Sequence, residues 1–235
     1  MNPNDPNLAK VELIASALGP LCEELVFVGG CAAGLLISDP AAAPARVTFD
    51  VDLVVEVAAL RRYQKIETAL ADRGFARDQS PDAPICRWRY RDIEVDLMPT
   101  DAGILGFGNR WFRAAVARAG HVVLPSGLGI RLIPAPYFMA TKFEAFADRG
   151  NADVLGSHDL EDIINVIDGR PELPQEIAHA PADLRGYLAE RCAALLETPH
   201  FDNHLPGMMV QDETAGERVT LVLARLESIA GSGSP

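Results

Sequence analysis

Two aspartates one residue apart, Asp50 and Asp52, interrupt the apolar run "RVTFDVDL". Side chains alternate across a strand, so both carboxylates share one face, while Phe49, Val51 and Leu53 share the other. An unpartnered buried charge is costly, so this face needs either solvent or a cation. An edge strand with a solvated acidic face and a strand that presents ligands to a metal ion both fit this pattern.

A second segment, "IEVDL" at 93–97, has the same alternation and places Glu94 and Asp96 on its polar face. If the two strands are neighbours, Asp50, Asp52 and Asp96 converge. Three close carboxylates repel one another, so something cationic should neutralise them. Oxygen-only ligands suit Mg²⁺ or Mn²⁺, and a pair of such ions bridged by aspartates serves in-line phosphoryl or nucleotidyl transfer. We therefore expect these three aspartates to hold two ions.

The upstream segment "VFVGGCAAGLL" indicates a strand, a turn at Gly29 and Gly30, and a helix that begins at Cys31. Glycines in such a turn let a phosphate approach the backbone, and a helix N-terminus favours anions. A plain tight turn is the alternative interpretation.

Apolar periodicity indicates a mixed N-terminal half and an all-helical half after Pro136. Strands are expected at 24–30, 49–57, 85–90, 92–99, 121–125 and 129–135. Helices are expected at 8–19, 31–38, 58–74, 111–120, 137–150, 158–169, 183–197 and 213–231. The segment 39–46 carries two prolines and is expected to be a loop. We therefore expect an α+β fold with domains at 1–135 and 136–235, and a disordered tail from about 231.

The 235 residues carry a formal net charge of −12, which disfavours non-specific binding to nucleic acid. The four cysteines have no metal-ligand spacing, and no apolar run reaches the ~18–20 residues of a membrane helix. We expect a cytoplasmic protein with reduced thiols and no membrane partner.

The order of these motifs resembles the nucleotidyltransferase fold of the DNA polymerase β superfamily. "KFEAFADR" at 142–149 and "HDLEDI" at 158–163 are similar to the K-x-x-A-x-x-x-R and [RK]-D-x-x-D-[IL] segments of the AbiEii-type nucleotidyltransferase-like toxins. That group includes the toxin half of type IV toxin–antitoxin systems and the mycobacterial MenT enzymes. The resemblance spans 24–169 and implies a mixed sheet of the nucleotidyltransferase type.

In the sheet half, the resemblance implies that Gly29, Gly30 and Cys31 shape the loop over a nucleoside triphosphate. Many members have serine straight after the first glycine or in the next place, where this chain has Gly30 and then Cys31, and the gap between Gly30 and Asp50 is longer than is usual. The resemblance also implies that the aspartates hold the metals, with Asp96 nearest the acceptor hydroxyl as its general base.

In the helical half, the resemblance implies that Lys142 contacts the nucleotide phosphates and that Arg149 caps or orients the site. These two residues are seven apart and lie nearly on one helix face. Asp159 or Asp162 would complete this side, and His158 stands where a basic residue often precedes the first aspartate. A surface lysine and helix-terminal or solvated acids are the alternatives.

Three other features carry less weight. The arginines of "RWRYR", Arg87, Arg89 and Arg91, are expected on one strand face, either solvated or meeting the phosphates of an acceptor. His200 and His204 have i,i+4 spacing, but "TPHFDNHLPG" does not favour a helix and offers no third zinc ligand. Both tryptophans are expected in the core.

These features lead to three hypotheses. The resemblance favours transfer of an NMP from an NTP to an RNA acceptor, such as a tRNA end, by a toxin with a cognate antitoxin. The acidic balance favours transfer to a small-molecule hydroxyl instead, because RNA binding depends on phosphate contacts. The altered Gly-Gly-Cys segment favours a nucleotide-binding or protein-binding member without turnover.

Overall fold

The chain has an α+β fold, seen here in a computed structural model that describes residues 4–149, 156–211 and 213–233, without the side chain of Arg149. It divides into two units. The sheet unit comprises Pro6–Ala32 and Arg46–Pro134, and the helical unit comprises Met1–Asp5, Ala33–Ala45 and Ala135–Pro235. Two short segments that we expected in the N-terminal domain, Met1–Asp5 and Ala33–Ala45, thus group with the helical unit.

One mixed sheet contains the strands of the described chain. They are β1 (Leu25–Val28), β2 (Asp50–Val55), β3 (Ala76–Arg77), β4 (Arg87–Tyr90), β5 (Ile93–Pro99), β6 (Gly120–Val123) and β7 (Gly129–Leu132). Their order is β3-β4-β5-β2-β1-β7-β6. The pairs β2–β5 and β1–β7 are parallel, and the other neighbours are antiparallel. Strand β3 was not expected, since two residues carry no readable alternation.

Four α-helices of the described chain begin in the sheet unit. They are α1 (Leu8–Leu18), α2 (Gly29–Leu36), α3 (Leu60–Ala71) and α4 (Phe112–Ala117). Helix α3 buries Tyr63, Ile66 and Leu70 along one face. The hydroxyl of Tyr63 donates a 2.8 Å hydrogen bond to the backbone oxygen of Leu97, which ties α3 to β5. Burial raises the pKa of this hydroxyl, so it stays a donor.

The approach to β2 differs from the expected strand. Phe49 was expected in this strand, on the face of Val51 and Leu53, but β2 begins at Asp50 and Phe49 is 81% exposed. The residues before it take their hydrogen bonds from a side chain instead. Asn7, which is fully buried, donates to the backbone oxygen of Arg46 at 2.8 Å and accepts from the backbone N–H of Thr48 at 2.9 Å. Asn7 therefore fixes the path of the chain into β2.

The helical unit is built from six further α-helices of the described chain. They are α5 (Ala135–Arg149), α6 (His158–Gly169), α7 (Leu173–Ala178), α8 (Ala182–Leu196), α9 (Phe201–His204) and α10 (Ala215–Gly231). Two were not expected: α7 has proline in its first turn, and α9 is a single turn in a segment whose composition does not favour a helix. Helix α10 reaches Gly231, the first residue of the expected disordered tail. Ser234 and Pro235 lie outside the described residues.

Helix α6 is the core of this unit and is buried from Asp162 to Gly169. Its last carbonyl, that of Gly169, accepts from the backbone N–H groups of Ser38 and Asp39 at 3.0 Å each. A Cβ on Gly169 would lie 2.8 Å from the side chain of Ile37. The proline-bearing loop that lengthens the gap before Asp50 is therefore packed on the end of α6.

No helix among the described residues is both long enough and apolar enough to cross a membrane. The four cysteines lie among the described residues, and each is a buried thiol.

Replacing Asn7 tests its role at the entry to β2. In Asn7→Ala the buried N–H of Thr48 loses its acceptor, and we expect a loss of about 1–3 kcal/mol in the free energy of unfolding. Asn7→Asp keeps that acceptor, but it buries a carboxylate that faces the backbone oxygen of Arg46, so its loss should be at least as large. Urea denaturation followed by circular dichroism measures both. Equal midpoints for Asn7→Ala and the parent would show that β2 needs no such support.

Candidate metal centre

Parallel pairing of β2 with β5 brings the predicted aspartates together. In this register Asp52 lies directly beside Asp96, and Asp50 lies beside Glu94. One carboxylate oxygen from each of Asp50, Asp52 and Asp96 lies within 4.8 Å of the others. The prediction that the three aspartates converge is confirmed. Among the described residues, no other group of three or more carboxylate, histidine or thiol side chains has the spacing of a metal site.

Arg87 on β4 partly neutralises this acidic group. Its Nε and Nη2 donate to Oδ1 and Oδ2 of Asp96 at 2.9 and 2.8 Å, and its Nη1 donates to Glu94 at 2.7 Å. Its Nη2 also lies 3.8 Å from Oδ2 of Asp50. The hydrogen bonds to Asp96 raise the pKa of the Arg87 guanidinium against the opposing effect of burial. The expected cation is thus, in part, a residue of the chain itself.

The sequence contains a signal for this contact that strand alternation alone does not reveal. Strands β4 and β5 form a hairpin in which Tyr90 faces Ile93 and Arg87 faces Asp96. In an antiparallel pair joined by a two-residue turn, this register follows directly from counting. Arg91 lies in that turn with a φ of 56°, so the expectation that it shares the strand face with the other arginines is wrong.

The second arginine of β4 is also paired with acids. Arg89 donates to Asp78 at 2.8 Å and to Glu94 at 2.7 Å. Hydrogen bonds from Ser80, and then from Arg89, lower the pKa of Asp78 to about 2. Arginines and carboxylates therefore alternate across this face, and both strand arginines already have anionic partners.

Gly29 brings the glycine turn into contact with Asp52. It is the first residue of α2 and has a φ of +66°, which side chains with a Cβ rarely adopt. A Cβ at this position would lie 2.5 Å from Cγ of Asp52 and closer still to its Oδ2. Only glycine lets the first turn of α2 lie against this carboxylate. The positive end of the helix dipole stabilises a negative charge there.

Cys31 has no exposed side chain to offer a ligand. It is fully buried, and its thiol donates to the backbone oxygen of Val28 at 3.2 Å. The predicted role of Gly29, Gly30 and Cys31 in binding a nucleotide stays a prediction.

In the helical unit, the residues singled out from the sequence form their own cluster. Nζ of Lys142 on α5 lies 2.9 Å from Asp159 and 2.7 Å from Asp162, both on α6. Asp162 is fully buried and Lys142 is 8% exposed. His158 is largely exposed, with its Nδ1 3.5 Å from Glu161. The side chain of Arg149 lies outside the described residues.

The remaining candidates do not form a site. His200 precedes the one-turn helix α9 with a φ of 60°, and neither it nor His204 belongs to a metal-type cluster in the described chain. Trp88 and Trp111 are buried, as expected.

Comparison with known proteins adds little. No protein-family model and no curated protein matches this chain. One solved structure, that of JHP933 from Helicobacter pylori, is similar over 97% of this chain and 93% of its own, with 12% identity and a TM-score of 0.46. A likeness of this strength supports no inference about activity.

Gly29→Ala should disturb the aspartates directly. We expect a loss of about 2–4 kcal/mol in the free energy of unfolding, from the positive φ and from the clash with Asp52. Gly127 is a matched control, because its φ is +84° and a Cβ added to it would have nothing within 4 Å. Gly127→Ala should cost only about 1 kcal/mol. Equal losses in urea denaturation would show that contact with Asp52 does not constrain Gly29.

Lys142→Ala leaves Asp162 buried without its ion-pair partner, so we expect a loss of about 3–5 kcal/mol in the free energy of unfolding. Adding Asp162→Asn should recover part of it. Lys65, an exposed lysine on α3, is the control, and Lys65→Ala should stay within about 0.5 kcal/mol of the parent. If Lys142→Ala unfolds at the same urea concentration as the parent, the ion pairs do not support the helical unit.

Proposed function

We propose that this protein is a metal-dependent nucleotidyltransferase that moves an NMP from an NTP to an acceptor hydroxyl. The observation that carries the proposal is the group Asp50, Asp52 and Asp96, with oxygens within 4.8 Å on adjacent parallel strands. Gly29 at the start of α2 lies against the same group. A triad of carboxylates beside a glycine turn at a helix N-terminus suits divalent ions and a phosphate chain.

In the proposed reaction the acceptor oxygen forms a bond to the α-phosphorus, and the bond from that phosphorus to the bridging oxygen of the β-phosphate breaks. Pyrophosphate leaves, and the acceptor proton passes to Asp96 as general base. Asp50, Asp52 and Asp96 would hold two Mg²⁺ or Mn²⁺ ions, which supply Lewis-acid stabilisation of the phosphate charge when bound. The turn at Gly29 and Gly30 would place backbone N–H groups beside the phosphates.

The resemblance to the AbiEii-type toxins supports a role for the helical unit in nucleotide binding. Its two motif segments meet in this unit, where Lys142 contacts both Asp159 and Asp162. The resemblance implies that Lys142 contacts the nucleotide phosphates and that Arg149 orients the site.

For the acceptor we propose an RNA end, such as that of tRNA, with a cognate antitoxin as the protein partner, on the strength of the motif resemblance. A small-molecule hydroxyl is the second candidate. It is favoured by the pairing of Arg87 and Arg89 with acids on β4 and by the net charge of −12. These features leave this strand, which is described in full, without a free basic surface for RNA phosphates.

Incubation of the purified protein with labelled NTPs, Mg²⁺ and either total tRNA or a panel of aminoglycosides tests the reaction and the acceptor. We expect label in tRNA that chelation with EDTA abolishes. Label in the small molecules would favour the second acceptor. NTP binding without transfer to either would favour a member that has lost turnover.

Asp52→Asn should reduce transfer by about 100-fold or more, because the carboxylate that holds the ions loses its charge. Its fold should stay intact, since one charge is removed from a repelling group. Asp82→Asn, at an exposed aspartate of the same unit, should leave transfer unchanged. Full transfer by Asp52→Asn, measured as label incorporated per minute, would contradict the metal-dependent mechanism.

A further inference from the structure

We infer that Arg87 is an internal counter-ion that holds Asp96 in the metal-free protein and competes with the divalent ion for it. The inference rests on the proposed metal site and goes beyond it, because it assigns a positioning role to a residue outside the aspartate triad. Arg87 meets the triad from the neighbouring strand β4, through Asp96 in a two-bond contact and through Asp50 at 3.8 Å.

The geometry of the contact makes the competition direct. Both oxygens of Asp96 accept from Arg87, at 2.9 and 2.8 Å, in the parallel arrangement that gives arginine–carboxylate pairs their strength. The Asp96 side chain is 11% exposed and that of Arg87 is 21% exposed, so water screens the pair only in part. An ion held by all three aspartates would lie close to this guanidinium, and the two cations would repel.

Glu94 is a second hydrogen-bond partner of Arg87 on the same face of the sheet. Nη1 of Arg87 donates to Glu94 at 2.7 Å, independently of the two bonds to Asp96. Glu94 is fixed from its other side by Arg89, which is itself fixed by Asp78. Arg87 can therefore release Asp96 and remain anchored, so the release does not require a free guanidinium in solvent.

The charges on this face explain why a counter-ion is needed. The triad, Glu94 and Asp78 supply five carboxylates, and Arg87 and Arg89 supply two guanidinium groups. The group therefore carries a formal charge of −3 before any metal binds. While Arg87 holds Asp96, the first ion binds through Asp50 and Asp52. Asp96 joins when Arg87 releases it and keeps its hydrogen bond to Glu94.

The experiment is a titration of Mn²⁺ followed by electron paramagnetic resonance, with no nucleotide present. Arg87→Gln removes the competing cation, and we expect the Mn²⁺ affinity to rise about tenfold, equivalent to a competing contact of about 1.4 kcal/mol. Arg87→Lys keeps the charge and loses the two-bond fork, so its affinity should lie between those of the parent and Arg87→Gln.

Arg89→Gln is the matched control. It removes the same charge two residues along the same strand, from a side chain that contacts Glu94 and Asp78 rather than Asp96. Any general effect of a more negative surface appears in this variant too. The excess of Arg87→Gln over Arg89→Gln therefore measures the contact with Asp96. Thermal melting gives a second readout. In EDTA, Arg87→Gln should melt at a lower temperature than the parent. In a separate sample with Mn²⁺ and no EDTA, its melting temperature should rise by more than that of the parent.

Two results would overturn the inference, and they differ in what else they overturn. If the parent binds Mn²⁺ at a site that Asp52→Asn removes, but Arg87→Gln and Arg87→Lys bind with the parent's affinity or more weakly, Arg87 does not compete and the metal site stands. If no variant binds Mn²⁺ at a site that depends on Asp52, the metal site itself falls and the inference falls with it.

Discussion

Electrostatic repulsion among three carboxylates is the constraint that shapes the sheet unit. Oxygens of Asp50, Asp52 and Asp96 lie within 4.8 Å of one another, a spacing that is unfavourable without nearby positive charge. The parallel register of β2 and β5 fixes that spacing, because Asp52 and Asp96 are directly paired. Two features make it tolerable. The N-terminus of α2 lies against Asp52, and the guanidinium of Arg87 holds Asp96. Each feature depends on one residue type, glycine at 29 and arginine at 87, for a steric and an electrostatic reason respectively.

Local sequence patterns predicted the strand faces and helix bounds that depend on local periodicity. The alternation in 49–53 and 93–97 placed the aspartates on one face, and the apolar spacing gave α6 its observed bounds, His158–Gly169. The entry to β2 could not be predicted in this way. Phe49 continues the alternation but lies outside the ladder, because the backbone before Asp50 is bonded to the side chain of Asn7, which is distant in sequence. Alternation predicts a strand face only where a neighbouring strand provides the hydrogen bonds.

The contacts between charged side chains show a second limit of prediction from sequence. The pairing of Arg87 with Asp96 was within reach of the sequence, because the hairpin register follows from the tight turn at Arg91. The pairing of Lys142 with Asp162 was not, because it requires α5 and α6 to pack in one particular orientation. The proline-bearing loop is a similar case. Its composition predicted irregular structure, but only tertiary contacts show that it ends α6 through the carbonyl of Gly169. Composition thus predicts that a segment is a loop, and packing decides where it lies.

The distribution of paired cations limits how this protein could recognise a phosphate chain. Arg87 and Arg89 are held by carboxylates, and Lys142 is held by two aspartates. A triphosphate that approaches the aspartates of the sheet unit therefore meets a group with a formal charge of −3, in which both arginines of β4 are already engaged. In the proposed reaction, attraction within the sheet unit would come from the backbone N–H groups at the start of α2 and from divalent ions on the carboxylates. If the proposed nucleotidyl transfer takes place here, the ions would be needed for nucleotide binding as well as for the chemical step, because the negative field of this group would otherwise repel a triphosphate.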